Sequence, residues 1–92
     1  MKLVGTENAG YRIISSTEYV NTEDEIFGIV IAERIKKVGI DDYVTWEYNF
    51  YGVDENIPNF YWGHYFGIAE DAHSDFRDRV RILFRIDEWR QL

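Results

Sequence analysis

Two aromatic stretches in the middle of the chain alternate between apolar and polar positions. Residues 43–51 (YVTWEYNFY) and 59–67 (NFYWGHYFG) both follow the period of two that is typical of β-strands. The intervening residues 52–58 contain a glycine and the single proline, which favours a hairpin loop. Symmetric closure of this hairpin predicts the cross-strand pairs Val44–Phe66, Trp46–His64, Tyr48–Trp62 and Phe50–Phe60. We expect this almost wholly aromatic face to form the core.

The earlier half of the chain contains one clear strand and one ambiguous segment. Residues 11–20 are rich in β-branched and aromatic side chains, which predicts a first strand. In residues 22–39, Thr22 and Glu25 have the form of a helix capping box, and Gly39 suits a helix end. The continuous apolar run 29–32 instead favours a strand that is buried on both faces. We predict a strand over about 26–35, with a helix as the alternative.

Apolar residues recur at spacings of three and four near the C-terminus, which predicts a helix from about Ala69 to Phe84. The alternative assigns residues 80–86 to a final strand. The predicted fold class is α+β, with a mostly antiparallel sheet of about four strands and one C-terminal helix packed on one face, in a single small domain over residues 1–92. The residues expected in its core are Ile29, Ile31, Val44, Trp46, Tyr48, Phe50, Phe60, Trp62, Phe66, Phe76, Val80 and Leu83.

The other face of the predicted hairpin carries tyrosines. If the helix covers the aromatic face, these rings stay exposed together, and exposed aromatic patches mark interfaces between proteins. The sequence therefore predicts an interaction face made of Tyr43, Tyr51, Tyr61 and Tyr65.

Charge and composition narrow the classes of partner. The 92 residues include 17 acidic against 10 basic side chains, and the net charge of −7 disfavours nucleic acid and anionic membranes as partners. The chain has no cysteine, which excludes disulfides, thiolate zinc sites and a cysteine nucleophile. No apolar run is long enough for a signal peptide or a membrane span, so we expect a cytoplasmic protein without a membrane partner.

The candidate chemical groups have ordinary structural explanations. His64 falls on the predicted aromatic face, where we expect a core histidine, and His73 falls on a solvated flank of the helix. Acidic residues at predicted turns, such as Asp41 and Asp42, are expected to cap backbone groups. We therefore predict no catalytic residue, no cofactor and no metal site. An enzyme that uses His64 would need a solvent-open pocket there with a carboxylate in reach.

Three short motifs resemble one class of small proteins. The segments YVTWEYN (43–49), YWGHYF (61–66) and DFRDR (75–79) together resemble accessory proteins of Gram-positive phages and conjugative elements. The resemblance spans the last half of the chain, and it implies a small intracellular accessory protein with no established activity.

The leading prediction is a non-catalytic module that binds a protein partner, with self-association as a homodimer included. One alternative is an acidic inhibitor that mimics nucleic acid and occupies a DNA-binding protein. The other alternative is a small enzyme that uses His64.

Overall fold

β-Branched and aromatic residues are frequent in the strands of the single sheet. The computed structural model describes residues 3–50 and 57–91, with side chains up to residue 85. The elements are β1 (Glu7–Asn8), β2 (Tyr11–Val20), β3 (Ile26–Arg34), β4 (Tyr43–Asn49), β5 (Asn59–Phe66) and α1 (Ala69–Gln91). The strands pair antiparallel in the order β1-β2-β3-β4-β5. The predicted α+β class is confirmed, with five strands instead of about four because the short β1 pairs with the start of β2.

Both ambiguous segments are resolved. Residues Ile26–Arg34 form the central strand β3, and the four apolar residues 29–32 are buried because β3 has a neighbour on each edge and side chains on both faces. The Asn21 side-chain oxygen accepts hydrogen bonds from the backbone N–H groups of Glu23 and Glu25 at 2.9 Å each. The segment that resembled a helix capping box is therefore a turn. Residues 80–86 continue α1, so the alternative of a final strand is wrong. No helix in the described part of the chain is long and apolar enough to cross a membrane.

Gly28 marks a close approach between three strands. A Cβ atom at this position would collide with the carbonyl oxygen of Thr17 and with the ring of Tyr48. Its absence lets Tyr48 lie across β3 and donate its hydroxyl hydrogen to the Thr17 carbonyl oxygen at 2.7 Å. The packing of the sheet therefore requires a glycine at this position of β3.

The predicted register of the β4–β5 hairpin is wrong. Tyr65 lies opposite Val44 and His64 opposite Thr45, a shift of one residue from the expected pairs. A one-residue shift exchanges the faces, so His64 and Phe66 leave the aromatic face. Trp62 and Gly63 then stand against the single Trp46 as a β-bulge. Because the bulge adds one residue to β5, the residues of β5 before Trp62 lie on the faces that were expected. Phe60 therefore pairs with Tyr48 on the aromatic face.

One face of the sheet buries aromatic and aliphatic side chains against one another, and we call it the aromatic face. The rings of Tyr11 and Phe60 pack against Trp46, and Phe60 and Phe50 pack against Tyr48. The buried members of this cluster are Leu3, Tyr11, Ile13, Val30, Ala32, Val44, Trp46 and Tyr48, with Ile26, Phe50 and Phe60 packed against them. The predicted core missed Leu3, Tyr11 and Ile13, which come from the start of the chain.

Helix α1 packs on the opposite face, which we call the helix face. Its side chains contact Thr45 and Glu47, whereas the expected position was over the aromatic residues of β4. Ala72 is fully buried there with Ile29 and Ile31, while Phe66, Phe76, Val80 and Leu83 are only partly buried. Trp62, expected in the core, is 70% exposed.

The turn between β3 and β4 is held by Asp42. Its two carboxylate oxygens accept the backbone N–H groups of Val38 and Gly39 at 2.9 Å each, and Arg34 Nε lies 3.4 Å away. These donors, the Val38 N–H first, hold the pKa of Asp42 below its usual value. The guanidinium of Arg34 also lies over the Tyr11 ring at 4.9 Å, which ties the turn to the aromatic face. The expectation that Asp42 caps backbone groups is confirmed.

Candidate functional site

A polar network joins the middle of β4 to α1. The Thr45 side chain is fully buried, and its hydroxyl donates to Asp75 Oδ2 at 2.6 Å. The same hydroxyl oxygen accepts a hydrogen bond from Arg79 Nη1 at 3.0 Å, and Arg79 also donates to the Thr45 carbonyl oxygen at 3.1 Å. Asp75 and Arg79 lie one helical turn apart, so α1 presents both of them to the same point on the sheet.

Arg79 is a buried charge, with only 8% of the residue exposed. Glu47, the next residue on the helix face of β4, places Oε1 3.5 Å from Arg79 Nη2. A buried guanidinium needs both charge compensation and hydrogen-bond acceptors, and Glu47 and Thr45 supply these. The arrangement fixes Arg79 in place, since it is held by Thr45 and Glu47, both on β4.

His64 extends the network towards solvent. It lies opposite Thr45 in the sheet, with Nδ1 3.0 Å from Asp75 Oδ2 and 51% of its side chain exposed. The expectation of a core histidine is therefore wrong, and the one-residue shift in register is the reason. With a carboxylate beside Nδ1, the neutral ring carries its proton there, and Nε2 has no hydrogen-bond partner among the described residues.

A surface pocket of about 380 Å³ opens beside this network. Three of its lining residues are charged or polar members of the network, and three are large apolar residues at the rim. The charged or polar residues are Glu47, His64 and Arg79, and the apolar residues are Trp62, Ile82 and Leu83. The pocket therefore combines a polar floor with an apolar rim, which is the usual composition of a ligand site.

Trp62 is held at the rim by an uncommon backbone conformation. Its φ of 51° lies in the left-handed region, which costs an L-residue roughly 1–2 kcal/mol. The bulge turns the indole out of the aromatic face, and its ring meets Tyr61 edge-on at 5.0 Å. Backbone strain of this kind is concentrated at functional sites, where it aims a side chain.

The four tyrosines do not share a face. Tyr43 and Tyr61 lie opposite Phe66 and Glu47 on the helix face, where both are partly buried. Tyr65 lies opposite Val44 on the other face, half-exposed beside Tyr11. Tyr51 lies outside the described residues. Burial first, and then the Glu47 carboxylate, raises the pKa of Tyr61.

Sequence reasoning named the members of the site without assembling it. The spacing of four between Asp75 and Arg79 suits an ion pair along the helix, but both side chains contact the buried Thr45. The available signal was their position, because residues 75 and 79 share the apolar side of α1 with Ala72, Phe76 and Leu83.

Within the described residues, no group of three or more histidine, aspartate or glutamate side chains is placed to hold a metal ion. No protein family, curated protein or solved structure matches this chain. The geometry of the described residues therefore carries the functional argument.

Proposed function

We propose that the protein is a non-catalytic interaction module that binds another polypeptide through the pocket between β5 and α1. The observation that carries this proposal is Trp62, a 70% exposed indole on a left-handed backbone at the rim of a preformed pocket. Tryptophan is among the residues most enriched in the energetic centres of protein interfaces. A strained tryptophan that is 70% exposed contributes little to the packing of this fold, whereas it suits a surface that a partner covers.

The exposed apolar surface around the pocket supports the same function. Trp62 and Ile82 are both largely exposed and face each other across the pocket between β5 and α1. β5 is also the last strand of the sheet, so its outer edge has unpaired backbone groups that an extended segment can pair with. A partner segment along β5 would place one of its side chains in the pocket.

The setting we propose is that of a small intracellular accessory protein of a phage or conjugative element. Each of the three motifs behind that resemblance contributes to the site. Residues 43–49 supply Thr45 and Glu47, residues 61–66 supply Trp62 and His64, and residues 75–79 supply Asp75 and Arg79. Of the tyrosines, Tyr61 adjoins the pocket through Trp62, and a binding role for Tyr43, Tyr51 and Tyr65 stays a prediction.

The test is selection of a random displayed-peptide library on the protein, followed by affinity measurement on two variants. Trp62→Asn removes the indole with a residue that tolerates a left-handed backbone. The control is Ile40→Ser, because Ile40 is also 70% exposed but lies in the β3–β4 turn. We expect selected peptides to bind Ile40→Ser unchanged and Trp62→Asn at least about tenfold more weakly.

The fold of each variant is checked by thermal unfolding, and Trp62→Asn should be as stable as the parent or more so. Peptides that bind Trp62→Asn with full affinity, or a library that yields no binder, would refute an interaction surface at this pocket.

A second candidate function is acid–base catalysis by His64. The specific observation is the 3.0 Å contact of its Nδ1 with Asp75, which leaves Nε2 beside an open pocket and meets the condition set by the sequence. Thr45 is too buried and too fully hydrogen-bonded to act as a nucleophile, so His64 would act on a bound water or substrate. Turnover of a model ester that disappears in both His64→Gln and Asp75→Asn would favour this function over binding alone.

A further inference from the structure

We infer that the pocket receives the cationic side chain, lysine or arginine, of a basic segment in the partner polypeptide. This inference rests on the proposed function and adds the chemistry of the group that enters the pocket. It follows from the indole at the rim, the charges at the floor and the distribution of acids along α1.

The indole of Trp62 favours a cation as the group that enters the pocket. Tryptophan is the best of the aromatic rings at attracting a cation over its face, and the attraction strengthens as water is excluded. Tyr61 packs against this ring in a T-shaped pair, so it occupies at most one of the two faces of the indole. The aliphatic stem of a lysine or arginine can also pack on Ile82 and Leu83 at the rim, since long basic side chains bury their stems and keep their charge in polar surroundings.

The charges at the floor of the pocket favour a cation. Glu47 lines the pocket and Asp75 contacts His64 in the same network, so two carboxylates stand against the permanent cation Arg79. The Glu47 carboxylate approaches Arg79 at a long 3.5 Å, which leaves it with acceptor capacity for a second donor. Arg79 itself is committed to Thr45 and is buried, so it is a poor receptor for an anion.

The acids on α1 extend this negative charge beyond the pocket. Asp71, Asp75 and Asp78 follow one another at helical spacings of four and three, and they share a ridge with Ile82 on the pocket side. Asp71 and Asp78 are exposed, and Asp78 Oδ1 lies 3.5 Å from Arg81 Nη2. A partner that carries further basic residues on either side of the inserted one meets complementary charge along this ridge.

The same charges argue against a second copy as the occupant. Each chain carries a net charge of −7, so two copies repel each other as they approach through an acidic ridge. A basic segment gains from that field instead, both in the rate of encounter and in the specificity of the bound state.

The experiment uses the peptides selected on the whole protein. In each peptide whose binding depends on Trp62, every lysine is replaced by acetyl-lysine and every arginine by citrulline, which keep the shape and remove the charge. We expect the affinity to fall about tenfold or more. Peptides that depend on Trp62 and bind equally well without their charge would overturn the inference while leaving the proposed function intact. If no peptide depends on Trp62, the proposed function itself fails.

Matched charge variants locate the effect. Asp71→Asn with Asp78→Asn removes two exposed carboxylates from the acidic ridge of α1, and Glu18→Gln with Glu23→Gln removes two exposed carboxylates on β2 and the β2–β3 turn. Both pairs change the net charge equally, so any difference between their affinities reflects the positions of the removed carboxylates. We expect the first pair to weaken the charged peptides about threefold at low salt and the second to have little effect, with the difference shrinking as salt rises. Equal effects of the two pairs, or concentration-dependent dimerisation that Trp62→Asn abolishes, would contradict a basic partner at this site.

Discussion

The two faces of the sheet achieve burial in opposite ways. On the aromatic face, neighbouring rings and aliphatic side chains exclude water without a helix, and the contacts of Trp46 and Tyr48 are mostly with other rings. On the helix face, the centre of the contact between α1 and β4 is polar, with a buried threonine, a buried arginine and two carboxylates. The same strand, β4, supplies alternate residues to both.

This difference assigns stability mainly to the aromatic face and recognition to the helix face. Apolar contact is non-directional and favours close packing, so the aromatic face contributes mainly to the free energy of folding. Hydrogen bonds to a buried charge need fixed geometry, and they contribute little net stability once desolvation is counted. The helix face retains a pocket and oriented polar groups at its edge, which is what recognition requires.

The largest expected effect comes from Trp46 on the aromatic face. Trp46→Ala removes a ring that is 5% exposed and packed against Tyr11 and Phe60, so the free energy of unfolding should fall by about 3–5 kcal/mol. Urea-induced unfolding followed by circular dichroism measures the loss. Ile82→Ala at the pocket rim is the control, with an expected change under about 0.5 kcal/mol. Similar losses for both variants would remove the distinction between the two faces.

A smaller effect, about 2 kcal/mol, is expected from Arg79→Met on the helix face. The change removes the charged hydrogen bonds to Thr45 while keeping the apolar stem of the side chain. Thr45→Val removes the shared hydroxyl, and the double variant should lose less stability than the sum of the two single losses, by about 1 kcal/mol. Strict additivity, measured by the same urea titrations, would mean that the network does not act as a unit.

The sequence predicted the elements better than their relation to one another. The period of two in residues 43–49 and 59–66 and the apolar spacing after residue 69 identified three of the elements, because these periods reflect local backbone geometry. The strand choice for 26–34 also held, because its apolar run fits a strand with two neighbours. Leu3 and Ile13 were missed as core residues because their burial depends on the pairing of β1 with β2 and of β2 with β3.

The register could not be predicted, and the site depends on it. A bulge adds one residue to β5, and its only sign in the sequence is Gly63 after Trp62. Adjacent residues in a strand point to opposite faces, so the shift of one residue moved His64 from the core to the pocket. Phe60 lies on the other side of the bulge and stayed on the aromatic face. The candidate site was therefore hidden by the pairing of two strands, although each of its residues was visible.

The smallest effect in this comparison concerns pH. Burial first, and then the nearby Glu18 carboxylate, raises the pKa of Tyr48 on the aromatic face to about 12, against a value near 10 for an exposed tyrosine. The folded chain thus holds this proton more tightly than the unfolded chain. The contribution of this raised pKa to the free energy of unfolding is fully present below pH about 10, and it is lost as pH rises through about 12. Tyr48→Phe should cost about 1 kcal/mol at neutral pH, because the hydrogen bond to the Thr17 carbonyl is removed.

Tyr48→Phe should also flatten the alkaline decline in stability, measured by urea unfolding at pH 8 and pH 11. Tyr61→Phe is the matched variant on the helix face, where the pKa is also raised but the ring is only partly buried. Its alkaline slope should change less, because water still reaches part of the phenol and the phenolate is less penalised. A larger change for Tyr61→Phe would reverse the assignment, and would make the helix face the drier of the two.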